Sequence, residues 1–177
     1  MNWQTVLTEL AQNVDDVNDE ALLGLVNQSE RIFLAGAGRS GLALKSFAMR
    51  LTQLGKQAFV VGETTTPAIT ASDLLVIASS SGETTQLVQF AATASDVGAT
   101  IWLWSTGTDS TISRQSQFVT LLAGKSKFAD ADTATKQPMG SLFEQSVWLF
   151  GDIFTMDYMQ RYQITESFMK ARHSNLE

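Results

Sequence analysis

The chain alternates between short apolar runs and longer segments in which apolar residues recur every three to four positions. Apolar runs of about five residues are typical of strands buried on both faces of a parallel sheet, whereas the longer period predicts helices. The runs predict strands at residues 32–35, 57–61, 74–78, 100–104 and 118–122. The periodic segments predict helices at residues 3–14, 19–27, 40–54, 84–97 and 140–161, with a short helical piece near residues 110–115. We therefore expect an α/β protein whose parallel sheet is covered by helices on both faces.

Two Gly/Ser-rich turns each follow a predicted strand and open a predicted helix. We call residues 36–41 the glycine turn and residues 79–84 the serine loop. In open parallel sheets, ligands bind beyond the carboxyl ends of the strands, close to helix N-termini. A polar, irregular segment at residues 124–136 is predicted to be a long loop that leads into the last helix. We therefore expect a ligand site at the carboxyl edge of the sheet.

Composition narrows the class of ligand. With 177 residues, 44% of them hydrophobic and 17% charged, the chain is typical of one globular domain with a sizeable core. Its formal net charge of -6 leaves no large basic surface for nucleic acid or anionic lipid. A phosphate site in this protein would therefore be local and built from hydroxyl groups and backbone amides.

The sequence offers few metal-binding residues and no sign of an export signal. The chain has no cysteine and one histidine, and no motif of paired carboxylates, so we expect no metal and no cofactor. Residues 1–16 lack the basic segment and apolar core of a secretory signal, and no apolar run approaches the ~20 residues of a membrane span. We expect a soluble cytoplasmic protein.

The glycine turn permits two interpretations. Its sequence, Gly-Ala-Gly-Arg-Ser-Gly, matches the Gly-x-Gly-x-x-Gly pattern of dinucleotide-binding proteins. Glu63 lies at the end of the next strand, where that pattern requires an acid for a ribose hydroxyl. A nicotinamide-dependent oxidoreductase would use these features, with Gly36, Gly38 and Gly41 around the dinucleotide. A tight strand-to-helix turn also favours glycine for packing alone, so both interpretations stay open.

The serine loop favours a phosphate ligand. It consists of Ser79, Ser80, Ser81, Gly82, Glu83 and Thr84. Three serines and a threonine offer hydroxyl groups, and the turn at the glycine can present backbone N–H groups to an anion at the helix N-terminus. A dinucleotide enzyme has no need of such a cradle here. The alternative is that Ser81 or Thr84 simply caps the helix, which explains one hydroxyl and leaves the others without a role.

The pattern Ser-x-Ser-Gly-x-Thr after a strand resembles the phosphosugar-binding signature of the SIS (sugar isomerase) domain family. Other motifs extend the resemblance over nearly the whole chain from Arg31 onward. They lie at residues 36–41, 47–51, 61–64, 81–84, 137–145 (Gln-Pro-Met-Gly-Ser-Leu-Phe-Glu-Gln) and 173–177 (His-Ser-Asn-Leu-Glu). The chain departs from the family pattern at Ser80, where glycine is expected, and at Ser174, where alanine is usual.

The resemblance implies a fold and an activity. The fold would be a three-layer, flavodoxin-like α/β domain with a five-stranded parallel sheet. One SIS domain would span residues 1–177, with N-terminal helices at 1–30, the core at 31–161, and a C-terminal helix and tail at 162–177. The activity would be the interconversion of 3-hexulose 6-phosphate and fructose 6-phosphate through a 2,3-enediol, in the ribulose monophosphate pathway. The family also implies a homo-oligomer, expected to be a tetramer.

The resemblance also implies roles for particular side chains. Ser40 and the serine loop would hold the substrate phosphate, with Arg39 either a charge partner or a surface residue. Glu144 would carry the proton between C2 and C3, although a carboxylate in the first turn of a helix is also favoured by the helix dipole. His173 would relay protons between O2 and O3 or close the site; alternatively it is a solvated surface group. Glu83 is expected to order the serine loop through backbone hydrogen bonds, since its charge would repel a phosphate.

A third class of protein also remains open. A non-catalytic SIS module that senses a phosphosugar would keep Ser40, Ser79, Ser81 and Thr84 and could dispense with Glu144. The intact motif at residues 137–145 argues against it. On the last helix, Trp148, Phe150 and Phe154 suggest more apolar surface than one core needs, which fits a homo-oligomer. The alternative is that these aromatic residues fill the core of their own chain.

Overall fold

The computed structural model describes residues 2–13, 20–125 and 135–176. The strands are β1 (Arg31–Gly36), β2 (Gln57–Val60), β3 (Leu74–Ala78), β4 (Thr100–Ser105) and β5 (Phe118–Leu121). The helices are α1 (Trp3–Leu10), α2 (Glu20–Gln28), α3 (Gly38–Gln53), α4 (Thr85–Asp96), α5 (Ser141–Tyr162) and α6 (Glu166–Lys170). Two 3₁₀ turns lie at Ala11–Asn13 and Ser113–Gln115. The predicted ends at residues 14 and 19, and most of the predicted loop at 124–136, lie outside the described residues.

The strands form one parallel sheet in the order β2-β1-β3-β4-β5. This order is that of flavodoxin-like, doubly wound folds, in which the strand order reverses beside the first strand. The predicted five-stranded parallel sheet is therefore confirmed. In the β1–β3 register, Gly36 lies opposite Ala78, so the glycine turn and the serine loop leave neighbouring strands side by side at the carboxyl edge.

Helices cover both faces of the sheet because alternate strand residues point to opposite sides. Ile32, Val76 and Trp104 belong to the core beneath α2, α3, α5 and α6. Phe33, Ile77 and Leu103 belong to a second core beneath α4. These side chains are almost completely buried, which explains why the strands read as continuous apolar runs.

Helices α3 and α5 pack closely against each other, and glycine permits the approach. A Cβ atom at Gly151 would lie 3.2 Å from the Phe47 side chain. Beneath this contact, Phe150 and Phe154 pack on the indole rings of β4 and fill the core of their own chain. Trp148, the third aromatic residue that suggested surplus apolar surface, is instead 49% exposed. Of the three, it is the one that supplies such surface.

Helix α5 ends at Tyr162, and Gln163 follows in a left-handed conformation (φ 55°). The chain then turns back so that α6 lies against α3, with Phe168 contacting the turn at Gly55. Over the described ranges, no helix is both long and apolar enough to cross a membrane.

Candidate active site

The glycine turn is tight because two glycines touch across it. A Cβ atom at Gly41 would lie 2.4 Å from the carbonyl oxygen of Gly36, and one at Gly36 would lie 2.8 Å from Gly41 Cα. Gly38 begins α3 in a left-handed conformation (φ 56°). Packing and backbone geometry therefore account for all three glycines, without a dinucleotide. The turn leaves Ser40 half-buried in the first turn of α3.

A glycine also fixes the shape of the serine loop. Gly82 has a φ of 63°, and a Cβ atom there would lie 2.0 Å from Ser110 Oγ. Its N–H donates to the Ser79 hydroxyl oxygen at 3.1 Å. Ser79 is only 3% exposed, so it supports the loop from beneath.

Helix capping does not account for the hydroxyl groups of this loop. Thr84 occupies the N-cap position of α4, yet its side chain makes no capping hydrogen bond. Ser81 Oγ accepts from the N–H of Glu83 at 3.2 Å, which lies before the helix. Among the described residues, Ser80 Oγ is buried without a hydrogen-bond partner. Several hydroxyl groups therefore remain available to a ligand at the N-terminus of α4.

The loop is anchored to the end of β4 and to the segment that follows it. The carbonyl oxygen of Ser80 accepts from Ser105 Oγ at 3.1 Å and from Thr106 Oγ1 at 2.7 Å. The Glu83 carboxylate accepts from the N–H of Thr111 at 2.6 Å, and this bond lowers the pKa of Glu83. Glu83 thus orders the loop as an ionised side chain. The sequence analysis missed these supports, although Ser105 and Thr106 could have been found as polar residues that directly follow a strand.

Glu144 lies beside the glycine turn. It is in the first turn of α5, with its side chain 17% exposed, and its carboxylate pairs with the Arg39 guanidinium. Its N–H donates to Gly140 O at 3.0 Å, so the helix start fixes its backbone. The structure thereby places a carboxylate and a cation together at the carboxyl edge, where the sequence had indicated each separately.

His173 lies elsewhere in the same chain. It is exposed, and it lines a groove of about 480 Å³ together with Arg50 and Met156. On α3, Arg50 follows Arg39 by eleven positions, or about 16 Å along the helix axis. Arg50 forms a salt bridge to Asp152 at 3.3 Å. Glu144 and His173 are therefore not brought together within one chain.

Other acidic residues give no support to a dinucleotide or metal site. Glu63, the candidate ribose ligand, is exposed and pairs with Lys45 at 3.4 Å. Within residues 2–13, 20–125 and 135–176, no three His, Cys, Asp or Glu side chains cluster in a way that could hold a metal ion.

Comparison with known proteins identifies the family. The model of the SIS domain matches residues 25–148, which include both turns and Glu144. The chain belongs to the SIS domain family. Several relatives carry the name 3-hexulose-6-phosphate isomerase. The protein from Bacillus subtilis is 39% identical, with 97% of this chain and 95% of that one covered. The protein from Mycobacterium gastri is 36% identical, with 99% and 90% covered.

A solved structure supports the same placement among SIS proteins. It comes from Methanococcus jannaschii, and a molecular function of 3-hexulose-6-phosphate isomerase has been inferred for it. It is 28% identical to this chain, covers 98% of both chains and superposes with a TM-score of 0.82.

Proposed function

We propose that this protein is an isomerase that interconverts 3-hexulose 6-phosphate and fructose 6-phosphate. The named relatives, which align over almost the full chain, support this reaction. The observation that carries the proposal is the pairing of Glu144 with Arg39. It puts a carboxylate able to move a proton at the turn that lies beside the serine loop.

In this proposal the two turns hold the phosphate group. Ser40, Ser80, Ser81 and Thr84 donate hydroxyl hydrogen bonds, and the N-terminus of α4 adds its partial positive charge. Ser79, Gly82 and Glu83 give the loop its shape through the bonds described above. The phosphate end is thereby fixed, and the reacting carbons C2 and C3 extend toward Glu144.

The reaction needs one proton to leave C2 and one to arrive at C3. Glu144 removes the C2 proton, the electrons of that bond form the C2=C3 double bond, and O3 takes up a proton to give the 2,3-enediol. Loss of the O2 proton then forms the C2 ketone, and Glu144 returns its proton to C3. Arg39 lies beside this carboxylate and stabilises negative charge that develops on the enediol oxygens.

The remaining expectations belong to the same proposal. The whole chain acts as one SIS domain in the cytoplasm, in the ribulose monophosphate route of formaldehyde assimilation, with neither nucleic acid nor membrane as partner. It forms a homo-oligomer, proposed to be a tetramer. His173 lies in the groove lined by Arg50, whereas Glu144 pairs with Arg39 near the other end of α3. His173 would therefore relay protons between O2 and O3 only from another copy of the chain.

A coupled assay tests the reaction. An added synthase makes 3-hexulose 6-phosphate from ribulose 5-phosphate and formaldehyde, and fructose 6-phosphate is then followed in time. We expect the wild type to be active and Glu144→Gln to lose at least about a thousandfold in kcat while still binding fructose 6-phosphate. The matched control is Glu166→Gln, which alters a first-turn glutamate of α6 that is also ion-paired.

The assay separates the alternatives. A wild type that binds the sugar phosphate without turning it over would identify a phosphosugar sensor. Activity retained in Glu144→Gln would show that another group is the base. Equal losses in Glu144→Gln and Glu166→Gln would indicate a general loss of folding.

A further inference from the structure

A buried carboxylate lies in the N-terminal helix, on an element that none of the proposed catalytic steps uses. Glu9 is 7% exposed although it belongs to a short surface helix, α1. A carboxylate is seldom buried unless its oxygens accept several hydrogen bonds. The partners of Glu9 therefore indicate why a charge is kept at this position.

Among the described residues, Glu9 has three hydrogen-bond partners, and all of them belong to the segment that leads into α5. Its carboxylate accepts from Thr135 Oγ1 at 2.7 Å, from Lys136 N at 2.7 Å and from Gln137 Nε2 at 3.0 Å. The N–H of Gln137 in turn donates to Thr135 Oγ1 at 3.0 Å, which closes the network. The backbone hydrogen bond from Lys136 lowers the pKa of Glu9 despite its burial, so the group is ionised at neutral pH.

A second residue of the N-terminal region, Asn13, also binds the chain on either side of residues 135–137. Asn13 Oδ1 accepts from Ala123 N at 2.6 Å, just after β5. Asn13 Nδ2 donates to Ser146 Oγ at 2.9 Å, in the second turn of α5. Residues of the N-terminal region thus fix the chain where it leaves β5, where it approaches α5, and within α5 itself.

The backbone between Gln137 and Glu144 transmits this anchoring. The carbonyl oxygen of Pro138 accepts from the N–H groups of Gly140 and Ser141, at 3.0 and 3.1 Å. Met139 is held in a left-handed conformation (φ 65°), which a non-glycine residue adopts only where its surroundings impose it. The N–H of Glu144 then donates to Gly140 O. A shift of residues 135–137 would therefore move the start of α5 and the carboxylate of Glu144.

We propose that Glu9 is a positioning residue of the isomerase: it holds residues 135–137 and so sets the place of Glu144 beside the glycine turn. Glu9 touches neither substrate nor reacting atoms and acts through the backbone of the α5 start. The inference rests on the proposed function. In this proposal Glu9 supports the start of α5 and not the serine loop. The serine loop is held by the end of β4 and the segment after it, and it does not depend on α1.

The test is Glu9→Gln, which keeps the shape of the side chain. The new amide would replace one of the two acceptor oxygens by an NH2 group, which would face either Thr135 Oγ1 and Gln137 Nε2 or Lys136 N, so the segment would be held less firmly to α1. We expect kcat to fall by at least about tenfold, as for a small misplacement of a catalytic group, with KM for 3-hexulose 6-phosphate changed by less than about twofold. Hydrogen exchange followed by mass spectrometry should speed up in peptides over residues 137–144 and stay unchanged over residues 79–84. The control is Glu20→Gln, which removes an exposed carboxylate at the start of α2 that is paired with Arg161 of α5.

A second variant covers the case in which Glu9→Gln does not fold. Thr135→Ala leaves the carboxylate in place and removes one of its three donors. It should give the same pattern of kcat loss and local exchange at smaller size. A kcat within about twofold of the wild type in a folded variant overturns the inference, and so does a rise in exchange spread evenly over the protein. A wild type without isomerase activity would overturn the proposed function instead, and the exchange pattern would still decide whether Glu9 positions the start of α5.

Discussion

At the residue scale, the amino edge of the sheet carries an ion pair that stabilises the fold, between a partly exposed arginine and a buried aspartate. Arg31 Nε, at the start of β1, donates to Asp73 Oδ1 at 2.8 Å. Thr70 adds two hydrogen bonds to the other carboxylate oxygen, at 2.6 Å from its N–H and 2.9 Å from its hydroxyl. The hydrogen bond from Arg31 is the main reason that the pKa of Asp73 lies below its ordinary value, against the opposing effect of burial.

This pair predicts a dependence of stability on pH. Because the folded protein lowers the pKa of Asp73, the unfolded chain binds a proton more readily, and acid favours unfolding. The stabilisation is fully present above the unfolded pKa of about 3.9 and is lost as pH falls through the lower folded value. Asp73→Asn should lower the free energy of unfolding by about 1–3 kcal/mol at pH 7, as for hydrogen bonds to a charged group, and flatten its fall below about pH 5. Urea unfolding at several pH values measures both effects.

Asp109→Asn is the matched control, because Asp109 is fully exposed and pairs with Arg114 at 2.9 Å. Exposed pairs contribute about 0–1 kcal/mol, so this variant should follow the wild type at every pH. If Asp73→Asn kept the full acid dependence of the wild type, other carboxylates would be responsible for it.

The sequence predicted the site residues by type, but it could not predict what each one contacts. Ser81 and Thr84 were found from their position after a strand and Ser40 from the resemblance to the SIS family, and all three lie at the carboxyl edge. The pairing of Arg39 with Glu144 joins residues more than a hundred positions apart, and no local pattern encodes such a contact. Glu9 was missed for the same reason, since a charged residue on a short helix normally indicates a solvated face.

At the element scale, the periodicity of the sequence located the strands and helices well. The predicted strand at residues 74–78 matches β3. Strand β1 is one residue longer than predicted at each end, and the other three strands differ from prediction by one residue at their carboxyl ends. The helical piece near residues 110–115 forms instead a shorter 3₁₀ turn, Ser113–Gln115, because serine hydroxyls bond nearby backbone groups there. The alternation of strands and helices predicts a parallel sheet, whereas the packing of α3 on α5 depends on side chains that meet only in the folded chain.

The contact between α3 and α5 connects stability with catalysis. These helices carry Arg39 and Glu144 at their N-termini, and Gly151 allows them to approach at Phe47. Gly151→Leu should push the helices apart and lower the free energy of unfolding by about 1–3 kcal/mol, as overpacking does. It should also lower kcat, because the ion pair spans the two helices. Chemical denaturation and the coupled assay measure the two effects.

Gln160→Leu is the control for that substitution, since it adds a leucine at an exposed position of the same helix. It should leave both stability and kcat close to the wild type. A stable Gly151→Leu variant with full activity would mean that the core around Phe47 can rearrange to accept the larger side chain.

At the scale of the whole molecule, α5 has apolar residues on more than one side. Its inner side packs on α3 and the sheet, while its outer side exposes Trp148, Leu149, Ile153 and Met156 by 41–58%. The neighbouring helix α3 also exposes apolar side chains on its surface, at Leu42 and Met49. A helix that is apolar around its circumference is normally buried on all sides, and exposed patches of this kind mark interaction surfaces. A second copy of this chain is the occupant that the proposed homo-oligomer provides.

Leu149→Glu tests this interface, because a carboxylate buried between two apolar surfaces would destabilise the assembly. Light scattering after size-exclusion chromatography should show an oligomer for the wild type and a smaller species for the variant. Val97→Glu is the matched control: its side chain is 41% exposed and ends α4, on the opposite face of the sheet, so it should leave the mass unchanged. If His173 acts from another copy, kcat should fall together with the mass in Leu149→Glu, while binding of fructose 6-phosphate to the serine loop persists. A wild type that remains a single chain at micromolar concentration and is fully active would contradict both the interface and the shared site.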